Sequence, residues 1–592
     1  MRHSPLTDRR NLSFLLYEVL GADSLLALPR FAAHTRETFD AAIDLAHDLA
    51  ITHFLPHNRL SDTREPHMTA DGTVAIVPEV KTALDAYAAA GFMATIADEA
   101  LGGMQLPMTI ATACDGLFMA ANISTSGYAL LARGAADLIR AHGTPEQQAR
   151  YMRPILEGRY FGTMCLSEPQ AGSSLADITT VAEPQPDGTY RLRGAKMWIS
   201  GGDHELSQNI IHMVLAKIPG GPPGVKGISL FIVPRYLINA DGSRGRRNDV
   251  TLAGVNHKLG QRGIVNTFLK LGEQDACVGE LVGAPHQGLA CMFHMMNAAR
   301  IGVGVGAVML GSAGYQYALK YAQERKQGRV VGQKDPSSPP VAIIEHADVR
   351  RMLVQQKAWV EGGLALVLYA GMLVDRGDQE LLDLLTPIVK AWTAEWMVKA
   401  NDLAIQVLGG YGYTREYPVE QFWRDNRLNP IHEGTNGIQA IDLLGRKLLA
   451  RGGAGLTKLA ATMQTTIAAA EANATTRPLG AALGKSLVQA AEVVATVGAA
   501  AARGEVRRAV AHAHHAVTVF GHLVVAWLWV DQALAATRAL TADVSGDDRA
   551  FYEGKLLAAR WFCDHELPVA DHAARVLKAM DPILLELRPE QL

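Results

Sequence analysis

Apolar residues recur at three- and four-residue spacing over the first ~160 positions, most clearly across 41–55 and 80–90, and this spacing predicts amphipathic helices. Thr144-Pro145-Glu146 reads as a helix start, with Thr144 as cap and Pro145 in the first helical position. From about Cys165 to Val282 the period shortens to two. Tyr190-Arg191-Leu192-Arg193 alternates, 210–218 is rich in strand formers, and Ile228–Val233 stops at Pro234. Turn residues at 186–188, 219–224 and 241–242 separate these runs, which predicts an antiparallel sheet or small barrel. Helical spacing resumes near Leu289 and continues to about Leu449, broken by a polar loop over 326–340. A Gly/Ala-rich stretch at 451–455 then leads into further Ala-, Val- and Leu-rich helices.

The expected architecture is therefore α+β and multidomain. A helical domain over 1–162 precedes a barrel-like β-domain over 163–283, a helical bundle over 284–450 and an additional helical domain over 451–592. Composition excludes several alternatives. With 48% hydrophobic and 19% charged residues the chain can bury substantial cores, and a net charge of −3 gives no general attraction to nucleic acid. Five scattered cysteines with no CxxC pair point to a reducing compartment without a disulfide framework. The His512, His514, His515 cluster lacks a ligand partner at metal spacing, so no metal is expected. Arg9-Arg10 before an apolar run superficially resembles an export signal, but Glu18 interrupts the run, and a helix packed on the protein is expected instead. The apolar stretch Val517–Val530 is expected to be a buried helix too short to span a bilayer, in a soluble cytoplasmic protein.

Ile301-Gly302-Val303-Gly304-Val305-Gly306 invites a dinucleotide-binding reading. No strand precedes it, however, and small residues along a helix favour close packing. Two clusters carry more chemistry. Around Leu166-Ser167-Glu168-Pro169-Gln170-Ala171-Gly172-Ser173 and Lys196-Met197-Trp198-Ile199-Ser200, a loop with exposed amides and hydroxyls accompanies an aromatic, which suits a flat polar ligand. Around Gln406-Val407-Leu408-Gly409-Gly410 and Ile431-His432-Glu433-Gly434-Thr435, consecutive glycines end a helix and permit close approach, while Glu433 sits on a bend. A carboxylate in a dry cleft has its pKa raised towards neutrality, as a base for carbon acids requires.

Together these clusters resemble the acyl-CoA dehydrogenase family. The motifs that carry the resemblance fall in family order from about 80 to 449: 167–173, 197–200, 257–263, 323–328, 406–413 and 432–439. The long C-terminal extension and the Phe14–Leu20 opening resemble its larger bacterial branch. The resemblance implies FAD held between the β-domain and the four-helix domain. Leu166, Ser167, Trp198 and Ser200 would line the isoalloxazine, and Thr435 would touch FAD beside the base. Arg325, Gln406, Gly409 and Gly410 would reach the FAD of a partner subunit, implying a homodimer. Ser173, Asn297 and Arg300 would contact the CoA portion of the substrate. Asn297 replaces an Asp common in relatives, and Gly437 replaces a Gln found in some. Glu433 would remove the α proton of an acyl-CoA while a β hydride passes to flavin, with an electron-transferring flavoprotein as acceptor.

Two rivals share features of this reading. An acyl-CoA oxidase would have the same fold and pass electrons to O2. A nucleic-acid-binding relative of the alkylation-response type would need a basic C-terminal domain, whereas 451–592 carries 14 Lys+Arg against 14 Asp+Glu. The extension is expected to cover surface that smaller tetrameric relatives bury against a second dimer. Chain-length preference is not encoded in periodicity.

Overall fold

The change of period near Cys165 marks the start of an eight-stranded sheet in the computed structural model, which describes residues 4–333 and 335–592. Its strands are β1 (Tyr160–Cys165), β2 (Val181–Pro184), β3 (Tyr190–Ser200), β4 (Asn209–Lys217), β5 (Ile228–Pro234), β6 (Val250–Val255), β7 (Asn266–Leu271) and β8 (Val278–Val282). They pair in the order β6-β7-β3-β8-β5-β4-β1. Strand β2 also pairs antiparallel with β3 and, through Val181 opposite Lys217, parallel with β4. The ring β3-β8-β5-β4-β2 therefore closes on itself, giving the barrel-like character expected. One feature departs from an antiparallel sheet: β1 runs parallel to β4, from Tyr160 opposite Asn209 to Cys165 opposite Val214. Strand β4 is buried along nearly its whole length, which explains its mainly apolar sequence, interrupted in the middle by the buried His212.

Two compact units result. One comprises Arg36–Leu106 and Cys114–Ala299, and contains the sheet. Its helices include α1 (Arg36–Leu49), α2 (Pro78–Ala89) and most of α3 (Met108–His142). Phe54, Tyr87 and Phe92 surround Phe118 at centroid distances of 4.9, 4.8 and 5.1 Å and anchor the helical part. Thr144 caps the short helix that follows, in the reciprocal arrangement with Gln147 known as a capping box.

The other unit comprises residues up to Thr35, Pro107–Ala113 and Arg300–Leu592. Its longer helices are α4 (Gly288–Glu324, which begins in the first unit), α5 (Ala347–Asp375), α6 (Gln379–Leu408), α7 (Val419–Asn426), α8 (Asn436–Asp442), α9 (Ala454–Glu471), α10 (Arg477–Ala502), α11 (His514–Ala539), α12 (Gly546–Trp561) and α13 (Val569–Ala579). The glycine-rich run lies inside one uninterrupted helix, so it forms no phosphate-binding turn. A Cβ on Gly304 would approach Val389 to 2.9 Å, so this glycine lets α4 and α6 pack closely. Gly304→Leu is expected to cost about 1–3 kcal/mol through overpacking, measured as a lower Tm of the FAD-loaded protein.

Residues 451–592 belong to the same unit as helices α5–α8. Arg451, Gly452 and Gly453 are all left-handed (φ 49°, 68° and 81°) and reverse the chain between helices. Helix α11 then lies against α5 and α6. Trp529 Nε1 donates to the Ala358 carbonyl at 2.9 Å, and a Cβ on Gly521 would strike Trp392. The expectation for this region needs correction on length. At 26 residues α11 is long and apolar enough to cross a membrane, as are α4 and α5, but most of its apolar window is buried inside the protein. A helix that is apolar all round suits such a site. The Arg9-Arg10 region is a helix docked on the extension, capped by Asp8. Arg10 meets Glu18 at 2.7 Å and donates to the Tyr552 hydroxyl at 2.7 Å, while Phe14, Leu15 and Leu16 are buried.

Candidate active site

On the sheet unit, one buried ion pair organises the loop after β1. Glu168 is 2% exposed and Lys196, on β3, is 0% exposed; they meet at 2.9 Å. Glu168 also accepts from the backbone and hydroxyls of Thr179 and Thr180 and from the Gln170 amide. Burial alone would raise its pKa. Lys196 and these hydrogen bonds outweigh that effect and bring it to about 2. The lysine donates to the Leu166 carbonyl at 3.1 Å, and Met197 N–H donates to the Ser167 carbonyl at 3.0 Å, so both loop residues are tied to β3.

Directly beyond, β3 and β7 slip register between Thr267 and Leu269. Met197 and Trp198 face a single partner residue, which makes a β-bulge. Trp198 has φ 64° and is 61% exposed, an uncommon conformation for a tryptophan that turns the indole out of the sheet. Ser200 is half-buried and accepts from Asn266 Nδ2 at 3.1 Å. Ser173 lies exposed on the same loop, and Asn297 is half-buried on α4.

On the other unit, Glu433 sits in the loop between α7 and α8. A chain of amides supports this loop. Asn401 donates to the Leu310 carbonyl, Asn426 to Asn401 and to the Ala307 carbonyl, Asn429 to Asn426, and His432 Nε2 lies 3.1 Å from Asn429 Oδ1. Past the bend, Asn436 N–H donates to the Pro430 carbonyl at 3.0 Å and Gln439 Nε2 to the Glu433 carbonyl at 3.0 Å. These bonds hold Glu433 at φ 54° and Gly434 at φ 83°. A left-handed glutamate carries about 1–3 kcal/mol of strain, which the surrounding hydrogen bonds must hold in place.

Burial pushes the Glu433 carboxyl above the usual carboxylate range, while Arg300 and Lys390 oppose that rise. Arg300 is buried and pairs with Asp442 at 3.6 Å. Thr435 caps α8, its Oγ1 accepting from Ile438 N–H at 3.3 Å. A separate cavity of about 460 Å³ on this unit is lined by residues including Tyr321, Arg325, Val407, Gly409, Gly410 and Tyr411. No atom lies within 4 Å of a Cβ built on Gly409 or Gly410, and Gly409 is left-handed at φ 62°. Arg325 is exposed, with its guanidinium 5.8 Å from the Tyr411 ring centroid. Gln406, one turn earlier, is exposed and outside the cavity lining.

Ten of the sequence-derived residues thus fall into three groups, with Ser173, Asn297 and Gln406 outside them: Leu166, Ser167, Trp198 and Ser200 around the bulge; Glu433, Thr435 and Arg300 around the bend; Arg325, Gly409 and Gly410 around the cavity. Lys390, Asp442 and the Glu168–Lys196 pair were not singled out by sequence reasoning. A lone lysine in the apolar run Thr386–Trp392 was the available signal for the first. In the extension, Arg503 and Arg508 pair with Glu505 at 2.8 and 3.8 Å, so two of the local arginines are neutralised nearby.

Four family descriptions match the chain: acyl-CoA dehydrogenase N-terminal domain over residues 45–159, middle domain over 163–268, C-terminal domain over 286–449, and an acetyl-CoA dehydrogenase C-terminal-like region over 459–588. The 3-methylmercaptopropionyl-CoA dehydrogenase of Ruegeria pomeroyi is 37% identical, with 86% of this chain and 87% of that protein aligned. The broad-specificity linear acyl-CoA dehydrogenase FadE5 of Mycobacterium tuberculosis is 34% identical over 98% of both chains. Among solved structures, an acyl-CoA dehydrogenase complexed with FAD from Bacillus anthracis has a TM-score of 0.75 at 20% identity, covering 97% of this chain and 93% of that one.

Proposed function

The chain belongs to the acyl-CoA dehydrogenase family, and on that premise we propose how its own residues carry out FAD-dependent dehydrogenation of an acyl-CoA thioester to the trans-2-enoyl-CoA. The observation that carries the assignment is Glu433. Its half-buried side chain has a carboxyl raised by burial, lies within the electrostatic reach of two buried cations, and sits on a bend whose backbone conformation costs energy.

The residues present fit FAD. Trp198 offers an outward-facing aromatic beside the Leu166–Ser167 loop, and Gly409-Gly410 leave open backbone at a cavity edged by the Arg325 cation. We assign Leu166, Ser167, Trp198, Ser200 and Thr435 to the flavin. Arg325, Gln406, Gly409 and Gly410 are assigned to the FAD of a second copy, and the protein accordingly to a homodimer. When bound, FAD would supply the acceptor for the hydride equivalent that leaves Cβ.

Glu433 takes the proton from Cα. That proton is weakly acidic, so the base gains from desolvation and the thioester oxygen must be stabilised as negative charge develops on it. The Glu433 N–H, fixed by the hydrogen bonds on either side of the bend, is the donor assigned to that oxygen. Arg300, with Asn297 and Ser173, is assigned to the CoA portion. Electrons leave to an electron-transferring flavoprotein, in a cytoplasmic setting.

The names of the relatives favour linear, short or methylthio-substituted acyl groups as substrates. Mixing the FAD-loaded protein anaerobically with thioesters from C4 to C18 and the methylthio analogue tests the function. Loss of flavin absorbance with at least one is expected; no loss with any of them overturns the proposal. Arg325→Glu is expected to weaken FAD binding at least about tenfold, equivalent to ~1.4 kcal/mol, in an equilibrium titration of the apoprotein.

A further inference from the structure

Lys390 is fully buried in the middle of α6, flanked by Ile388, Val389, Ala391 and Trp392, each 0% exposed. Taking an ammonium out of water costs several kcal/mol unless a counter-charge and hydrogen bonds compensate. Among the described residues Lys390 has no carboxylate within ion-pair distance. Its ammonium donates to Asn436 Oδ1 at 3.2 Å, and Asn436 Nδ2 donates in turn to Glu395 at 3.3 Å. Asn436 is the first residue of α8, immediately after the bend that carries Glu433.

We infer that Lys390 is a positioning residue for the base: through Asn436 it fixes the far end of the Glu433 bend, and its buried positive charge supplies the field that lets the desolvated carboxylate exist. The inference rests on Glu433 being the base, and assigns to α6 a part in the same reaction.

The charges around it are consistent with that part. Lys390 interacts with Glu433 on the loop, with Arg300 from α4 and with His432 next to the base. Arg300 is compensated by Asp442, which Arg446 also reaches at 2.8 Å, so the acid of α8 is already engaged by two arginines. Glu395 reaches Lys390 only through the Asn436 amide, and Glu433 is the acid whose charge raises the lysine pKa. Burial, against the opposing pull of Glu433 and with Arg300 acting in the same direction as burial, lowers the lysine pKa to about 7. The charge state of each group therefore depends on that of the other, so lysine and glutamate titrate as a coupled pair.

Two variants and two readouts test this. In Lys390→Met, the acid limb of the kcat/KM profile is expected to move up by about one pH unit or more. Activity should fall roughly tenfold at neutral pH and recover in part under alkaline conditions. In Lys390→Arg, whose charge cannot be lost, the limb should lie at or below that of the wild type. The second readout needs no flavin: the infrared C=O band of protonated Glu433, assigned by its absence in Glu433→Gln, should persist to higher pH in Lys390→Met apoprotein. A uniform loss of activity in Lys390→Met with an unmoved limb and band overturns the inference and leaves only a structural role. Should that variant fail to fold, an acid limb raised in Lys390→Arg overturns it equally. An active Glu433→Gln would instead overturn the base assignment, whereas an inactive one beside an unshifted Lys390→Met profile overturns the lysine inference alone.

Discussion

Glu433→Gln is expected to retain FAD and to lose kcat/KM by about 10²–10⁴-fold, or ~3–5 kcal/mol, the scale of a positioned general base. The substitution keeps the size and the hydrogen-bonding reach of the side chain, and a glutamine at φ 54° is no more strained than the glutamate it replaces. What disappears is the capacity to accept a proton and the charge facing Arg300 and Lys390. Flavin content by absorbance, with steady-state rates over a range of thioester concentrations, reads cofactor retention and kcat/KM separately. Near-normal turnover with normal flavin content would remove Glu433 from the mechanism. Because burial raises this carboxyl, the acid limb of the wild-type profile is expected above the ordinary carboxylate range, with activity rising as pH increases through it.

Lys196→Met is expected to destabilise the protein by about 3–5 kcal/mol, because it leaves the Glu168 carboxylate buried without its cation. Thermal denaturation of the apoprotein reads this directly. The threonine donors soften the penalty, and a double Glu168→Leu/Lys196→Met variant should regain part of the loss, since an apolar pair carries no uncompensated charge. The same single variant should release FAD more readily, because Lys196 also holds the Leu166 carbonyl. Glu168 has a depressed pKa of about 2 against an unfolded value of 4.5. Its stabilising contribution is fully present above pH 4.5 and is lost as the pH falls towards 2, so wild-type stability should drop steeply across that window.

Much of this could be read along the chain, and the parts that could not share a physical cause. The switch from helical to alternating spacing located the sheet, since period reports directly on which face is buried. The helix cap at Thr144 and the bend at Glu433-Gly434 were legible because their chemistry is local. The parallel pairing of β1 with β4 was not, because nothing within either strand records the direction of its neighbour. The bulge that turns out Trp198 depends on the register of β7, some seventy residues later, and no glycine announces its left-handed backbone. Lys390 was hidden for a related reason: a lysine in an apolar helix acquires meaning only from what α8 and its preceding loop bring to it. Helix α11 shows the limit of hydropathy itself, since a membrane-length apolar segment can equally be the centre of a helical core.

The central claim is that the Glu433 carboxylate removes a proton from the carbon next to the thioester. A 3-thiaacyl-CoA has sulfur in place of Cβ, so it can lose the α proton but has no β hydrogen to surrender. Incubated in D2O with the FAD-loaded protein and followed by mass spectrometry, it should gain deuterium at Cα with wild-type enzyme and gain none above the uncatalysed background with Glu433→Gln. Equal deuterium uptake with both proteins would contradict the account.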